Sequence, residues 1–321
     1  MRPLPETVIG IGDLTVDTLL PLVDRMPDWG QETLIEEPRR RLGGNIGNMA
    51  VGAAALKADF VSIGWIGDDE EAVFIKEKLR DLHLSTVGLK TFRGGKTSRT
   101  FACIRSDGER LFFTYPGVLN HMESLFHGLE LPPGKVVFLS GWCLPPRVSP
   151  EVLIEKIKAW QEEDRWVAID LIWSDACWEV KPEIINVLSH CDTVFLNEDE
   201  FSALSGKQDA VDRVMSVQEF QSWCAGWSEK ALFVMKRGKK GAYAVRGSEV
   251  YAAEALAVEI DHTVGAGDLF NISFIHAFWN LGETILRALE FACAFTGLSI
   301  RKNVFSYPSE NDVYRILEKR R

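Results

Sequence analysis

The stretch Asp261-His262-Thr263-Val264-Gly265-Ala266-Gly267-Asp268, running into the apolar segment 269–281, decides the fold of this chain. With little side chain at Gly265, Ala266 and Gly267, the backbone can bring consecutive N–H groups against a ligand. At a helix start those amides have no intrahelical acceptor, and the helix dipole adds positive potential. Such a junction is an anion cradle. An acid beside an anion cradle repels the anion it serves, unless it takes a proton from a hydroxyl attacking a phosphate. Asp268 therefore points to phosphoryl transfer. The same small residues also suit a tight turn or a close helix contact, and the string alone leaves both readings open.

Outward from this junction, short apolar runs alternate with helical patterns. Val8–Ile11, Phe60–Ile66, Val136–Leu139, 167–169, 194–196 and 232–235 read as strands of the continuous apolar kind buried in parallel sheets. Helical patterns cover 48–56, 69–82, 151–163, 182–190 and 217–227. The C-terminal third is helical over 265–281, 283–301 and again after Ser309, where Ser309 and Asp312 resemble a capping box. This rhythm predicts an α/β fold, a three-layer α/β/α sandwich with a mainly parallel central sheet. Segments 33–42 and 97–114 break it. They alternate, are β-prone, and the second turns at Ser106-Asp107-Gly108-Glu109. They predict a small antiparallel β lid, drawn from about 18–42 and 92–114, or else a surface hairpin. The economical organisation is a single domain over 1–321 carrying this lid.

Composition narrows the function classes. The chain has 321 residues, 46% of them hydrophobic and 26% charged, an ordinary globular balance able to bury a large core. A net charge of −10 with no run of Lys or Arg argues against a nucleic-acid surface. The six cysteines show no C-x-x-C pair and read as reduced thiols of a cytoplasmic protein. No secretory signal pattern opens the chain, and no apolar stretch reaches membrane-spanning length. Several motif matches fail. Gly10 and Gly12 follow a strand, but Thr15 stands where a dinucleotide fingerprint needs its third glycine. Gly95-Lys96-Thr97 ends like a P-loop, yet Lys90 replaces its first glycine. HExxH and G-x-S-x-G strings are absent.

What survives is a set of polar groups at the ends of successive predicted strands, where open α/β sheets bind ligands. Gly12-Asp13-Leu14-Thr15-Val16-Asp17 follows the first strand, and Gly43-Gly44-Asn45-Ile46-Gly47-Asn48-Met49-Ala50 opens the first helix. Asn197-Glu198-Asp199-Glu200 and Gly238-Lys239-Lys240-Gly241 follow later strands. From Gly12 to the Tyr307-Pro308-Ser309 region, the chain resembles the ribokinase-like, phosphofructokinase-B type of sugar kinases. The resemblance rests on the GG-x-x-x-N-x-A segment and the T-x-GAGD segment in order, together with Asn197 and Glu200.

The resemblance implies an ATP-dependent kinase acting on a small sugar. Asp268 would be the catalytic base, and the amides of Gly265, Ala266 and Gly267 the anion hole. Asn197 and Glu200 would act through Mg²⁺ and its waters, although Asn197 with an acid three residues on is also an ordinary helix start. Asp17, Thr15, Gly43, Gly44 and Asn48 would contact the sugar. Asp17 is equally a turn-capping residue, and the glycines equally serve a tight turn. Lys236, Gly238, Gly241, Thr263 and Cys293 would lie along the nucleotide. The lid would close over the sugar and offers a homodimer surface, because an exposed small sheet has edges to cover. Trp142 and Trp173, near strand ends, are either pocket or core. Arg99 or Arg105 would hold an acceptor that already carries a phosphate.

The departures also matter. His262 stands where the family usually has Asp, which puts K⁺ activation in doubt. Asp170-Leu171-Ile172-Trp173-Ser174 lacks the usual Pro-Asn and Arg, which suggests an atypical substrate. Two alternatives remain open: a nucleoside kinase of the same fold, and a non-catalytic sugar- or nucleotide-sensing protein.

Overall fold

The computed structural model describes residues 6–20, 25–105, 110–142, 148–173, 175–206, 216–260, 263–302 and 306–319. The short apolar runs become strands whose side chains alternate between two buried faces. These are β1 (Val8–Ile11), β4 (Phe60–Ile66), β8 (Val136–Leu139), β9 (Trp166–Asp170), β10 (Thr193–Asn197) and β11 (Leu232–Lys236). With β5 (Leu89–Thr91), β12 (Ala242–Arg246) and β13 (Glu249–Ala253) they form one sheet in the order β13-β12-β11-β10-β9-β8-β1-β4-β5. From β11 to β5 every neighbouring pair is parallel, and β12 and β13 are antiparallel additions at one edge. The β12–β13 hairpin was not expected, although an alternating run broken by Gly247-Ser248 carries its signal.

Helices cover both faces. Val8, Phe138, Phe195 and Val234 point into a core shared with α1 (Asn45–Leu56), α2 (Glu70–Asp81), α8 (Ala266–Ile275), α9 (Ile285–Ile300) and α10 (Glu310–Lys319). Ile9, Val137, Ile169 and Phe233 point into the other, shared with α3 (Met122–Phe126), α4 (Pro150–Glu162), α5 (Lys181–His190), α6 (Glu198–Ser205) and α7 (Val217–Ala225). α8 is buried from Asp268 to Ile275, which explains its near-uniform apolar sequence. A π-helical turn, His276–Asn280, extends it. Ser309 and Asp312 do form a reciprocal cap at α10, with the Asp312 amide donating to Ser309 Oγ at 3.3 Å.

The second sheet is the lid, in the order β3-β2-β6-β7. It comprises β2 (Thr15–Leu20), β3 (Arg39–Gly43), β6 (Arg99–Ile104) and β7 (Arg110–Tyr115). Its outer pairs are antiparallel, and β2 runs parallel to β6 because α1 through β5 intervene between them. Residues 33–38, expected to be strand, carry no ladder and are exposed. Pro38 has no N–H to donate and restricts the residue before it, so pairing begins only at Arg39. The expected turn at 106–109 lies outside the described residues.

Candidate active site

Two helix starts meet at the C-terminal edge of the sheet. α1 is capped by Gly44 at φ 76°, without a side-chain cap. A Cβ there would sit 2.5 Å from the Asp13 carbonyl oxygen, so both the backbone angle and the close approach require glycine. The first amides of α1 are occupied from within: Asn45 N–H donates to Asp13 Oδ2 at 3.0 Å and Ile46 N–H to the Asp13 carbonyl at 3.2 Å. α8 too begins at a positive-φ glycine, Gly265, here in the left-handed region at φ 78° and ψ 2°. There the Ala266 amide turns back to the Thr263 carbonyl at 3.2 Å, so it is engaged within the turn, and Gly267 and Asp268 follow in the first turn.

Asp268 is 8% exposed, and the Asn48 side-chain amide donates to its Oδ2 at 2.8 Å. This bond joins α1 to α8 and brings together the two motifs that sequence placed 220 positions apart. Burial holds the Asp268 carboxyl well above the usual carboxylate range. The Asn48 hydrogen bond and the Lys236 charge oppose that shift, while the charges of Asp170 and Asp13 add to it.

Behind the α8 start lies a network that sequence reading did not assemble. Lys236, at the end of β11, places its ammonium 2.7 Å from each oxygen of Asp170, at the end of β9. Asn271 of α8 donates to Asp170 Oδ2 at 2.6 Å. A Cβ on Gly267 would stand 3.5 Å from Lys236 Nζ, so the ammonium abuts the cradle itself. Burial disfavours the Lys236 charge, but Asp170 and Glu200 outweigh it and hold this lysine protonated. Beyond it, Arg237 pairs with Glu198 at 3.0 Å and lies over the Tyr243 ring, while Lys240 reaches Glu198 at 3.1 Å.

Asn197 and Glu200 form a capping box at α6. Asn197 Oδ1 accepts from the Glu200 amide, and Glu200 Oε2 accepts from the Asn197 amide, each at 2.8 Å. The helix-start reading of this pair is therefore realised. Glu200 is also 3% exposed, and burial together with the Asp170 charge pushes its carboxyl up to about 8. A buried carboxylate short of positive charge suits a cation. Mg²⁺ commonly takes one or two carboxylates and keeps its waters. Among the described residues no group of three or more Asp, Glu, His or Cys is arranged to hold a metal directly.

Asp17 is 5% exposed. Its Oδ1 accepts from the Thr15 hydroxyl at 2.7 Å and its Oδ2 from Arg41 Nη2 at 3.2 Å. A Cβ on Gly43 would run into this carboxylate. Beside it opens a cavity of about 220 Å³, polar at Asp13, Ser140 and Thr114 and apolar at Leu119, Met122, Phe126 and Trp142. Asp13 was quoted in the motif but given no role. Burial pushes its carboxyl up to about 6, and its buried Oδ1 has no hydrogen-bond partner. Trp142 lines the cavity, with its indole N–H donating to the Val148 carbonyl at 2.7 Å. Trp173 is 48% exposed against Trp178, so it is not core. The register partners of Arg99 put it on the opposite face of the lid from Asp17, where it pairs with Glu71 of α2 at 3.4 Å.

Of the expected nucleotide residues, Gly238 and Gly241 turn at φ 53° and 89° just after β11, Thr263 precedes the cradle, and Cys293 is buried on α9. Cys103, Cys191, Cys224 and Cys293 are buried thiols. Asp261 and His262 lie outside the described residues. Among those described, no helix is long and apolar enough to cross a membrane.

Residues 11–311 match the model of the pfkB family carbohydrate kinases. The 5-dehydro-2-deoxygluconokinase of Listeria innocua is 26% identical over 275 residues, covering 82% of this chain and 81% of that protein. Among solved structures, the nucleoside kinase of Methanocaldococcus jannaschii, described as an archaeal member of the ribokinase family, superposes with a TM-score of 0.78 at 17% identity, covering 98% of this chain and 99% of that one. Arabidopsis thaliana ribokinase, solved with ribose and ATP, gives 0.76 at 19% identity, covering 98% and 99%. At these identities the structures establish the ribokinase fold. The chain belongs to the pfkB family of carbohydrate kinases and is a phosphotransferase with a sugar hydroxyl as acceptor.

Proposed function

We propose that this pfkB-family kinase transfers the γ-phosphoryl of ATP to a hydroxyl of a small sugar or sugar derivative seated between Asp17 and the start of α1, with Asp268 as general base. The observation that carries the reading is Asp268 itself. It is a buried carboxyl in the first turn of α8, hydrogen-bonded by Asn48 from the acceptor side and flanked by Lys236 from the nucleotide side. Its raised proton affinity suits a group that must accept a proton near neutral pH.

In this reading Asp17, Thr15, Asn48, Gly43 and Gly44 orient the acceptor. The helix start at Gly265–Gly267 receives the charge developing on the transferred phosphoryl, as preorganised donors do. Lys236 lies against the same helix start and adds a fixed positive charge there. Gly238, Gly241, Thr263 and Cys293 border the nucleotide. Asn197 and Glu200 would hold Mg²⁺ through water, and the cation, when bound, neutralises charge on the phosphates. Positioning and electrostatics supply most of the acceleration in such transfers. The exposed side chains of Phe101, Leu111, Phe113 and Tyr115 share the outer face of the lid and support a homodimer through it.

The Listeria innocua relative is named for an acidic sugar, and such an acceptor is the first to try here. A nucleoside acceptor is the second reading, favoured by the apolar part of the cavity beside Asp13, where Trp142 could lie against a flat ring. Mg²⁺-dependent ADP release with ATP, measured across free sugars, sugar acids, sugar phosphates and nucleosides, separates them. Turnover on a sugar or sugar acid supports the first reading. Turnover on nucleosides alone replaces it with the second, and binding of ATP with no turnover on any acceptor contradicts both.

A further inference from the structure

We infer that Arg41 recognises an anionic group on the acceptor, so that the preferred substrate is a sugar bearing a carboxylate or a phosphate besides the hydroxyl that reacts. The inference rests on the kinase reading above and adds the chemical class of its substrate.

Arg41 and Asp17 are register partners on β3 and β2, so their side chains leave the lid on the same face. Thr100 and Thr114 share that face, and Thr114 lines the cavity beside Asp13. Arg41 is therefore directed at the acceptor side of the lid. The guanidinium also lies near Tyr307: burial raises that phenol, and the Arg41 charge opposes the rise.

Arg41 is incompletely used there. A guanidinium carries five N–H donors in a planar fork suited to bidentate capture of a carboxylate or phosphate. Here one arm meets Asp17 Oδ2 at 3.2 Å, while the Nε is buried with no hydrogen-bond partner. Asp17 needs little more, since the Thr15 hydroxyl already holds its other oxygen at 2.7 Å. The neighbouring cations pair elsewhere: Lys236 with Asp170, Arg40 with Glu71, Arg237 and Lys240 with Glu198, while Arg99, whose Nε is likewise buried without a partner, pairs with Glu71 on the opposite face of the lid. Arg39 shares the face of Arg41 but is exposed at the far end of β3.

Hydroxyls alone give no reason to keep a partly buried guanidinium with an idle donor beside a carboxylate-lined pocket. Asp13, Asp17 and Asp268 repel an acidic acceptor, and a cation at Arg41 offsets that repulsion while selecting for the anion. The one chemistry has two sources, a sugar acid and a sugar phosphate.

The test compares D-fructose, D-gluconate and D-fructose 6-phosphate, both as acceptors for the wild-type kinase and as ligands of Asp268→Asn in the presence of ADP. Binding to that variant needs no chemistry. At least one anion should be favoured over fructose, and Arg41→Gln should shrink that anion-to-neutral preference by about tenfold or more, whatever happens to fructose alone. Arg41→Lys, which keeps the charge but not the fork, should recover part of it. Gluconate or fructose 6-phosphate as the favoured ligand identifies the carboxylate or the phosphate. Absence of any anion preference in both assays overturns the inference, as does a preference that Arg41→Gln leaves intact. Turnover of a neutral sugar that Asp268→Asn abolishes, with no anion preference, would remove the role of Arg41 and keep the kinase. Turnover insensitive to Asp268→Asn would instead remove the kinase mechanism.

Discussion

The starts of α1 and α8 are both entered through a positive-φ glycine with no side-chain cap bond, Gly44 at φ 76° and ψ 159° and Gly265 in the left-handed region at φ 78° and ψ 2°. They differ in what meets the exposed amides. At α1 the protein supplies its own acceptor, Asp13, through both its carboxylate and its carbonyl. At α8 the acid in the first turn belongs to the helix itself and is held to the side by Asn48. The α1 start is thereby an architectural joint, whereas in the proposed reading the α8 start, where the Thr263 carbonyl holds only the Ala266 amide, receives the phosphoryl charge. The nearby α2 and α6 differ from both, because Asp69 and Asn197 cap them with side chains. Glycine appears where a side-chain cap would fill the space that the site needs.

Substituting the two glycines breaks the comparison most forcefully. A non-glycine residue at positive φ costs at least about 1–2 kcal/mol, and at Gly44 the added Cβ also meets the Asp13 backbone at 2.5 Å. Gly44→Ala should therefore lose about 2–5 kcal/mol in denaturant unfolding, once overpacking of about 1–3 kcal/mol is included. At Gly265 the nearest atoms belong to the Asn48 side chain, at 3.0 Å, which can yield. Gly265→Ala should lose about 1–2 kcal/mol of stability but displace Asn48 from Asp268, so its main effect should be on kcat. Equal effects of the two variants on stability and activity would dissolve the distinction between joint and site.

Asn48→Ala sharpens the comparison at the bridge. The Asn48 hydrogen bond favours ionised Asp268 and lowers its proton affinity. Removing it raises the pKa of Asp268 further, so the acidic limb of the kcat/KM profile should move to higher pH. A limb that stays in place would detach it from Asp268.

The smallest effect concerns Glu200. Its folded-state pKa, about 8, lies above its ordinary 4.5. Between these values the unfolded chain releases a proton that the folded chain retains, so this group weakens folding progressively as pH rises through that window. Glu200→Gln keeps an acceptor for the Asn197 amide. In the absence of nucleotide its Tm should therefore gain on wild type from pH 5 to pH 8. A pH-independent difference would mean that Glu200 ionises freely.

The legible parts of this molecule were those with local signals. Val8–Ile11, Phe60–Ile66 and Val136–Leu139 are strands over the expected spans, because parallel strands buried on both faces leave unbroken apolar runs. The GAGD junction was legible as a helix start, which Gly265 caps, while the string alone left its chemical role open. The Lys236–Asp170–Asn271 network was not legible, because it joins residues 66 and 101 positions apart whose contact depends on sheet order. The facing of Arg41 and Arg99 was not legible either, because only strand register tells which face of the lid each one occupies. Segment 33–38 misled through its β-prone pattern, where Pro38 and the lack of a pairing neighbour prevailed.

The most direct test of Asp268 as the base is turnover of Asp268→Asn beside wild type at saturating Mg²⁺–ATP and acceptor. The account predicts a loss of about 10²–10⁴-fold in kcat, with the fold and ATP affinity retained. Near-normal turnover by a folded, ATP-binding Asp268→Asn protein would contradict it.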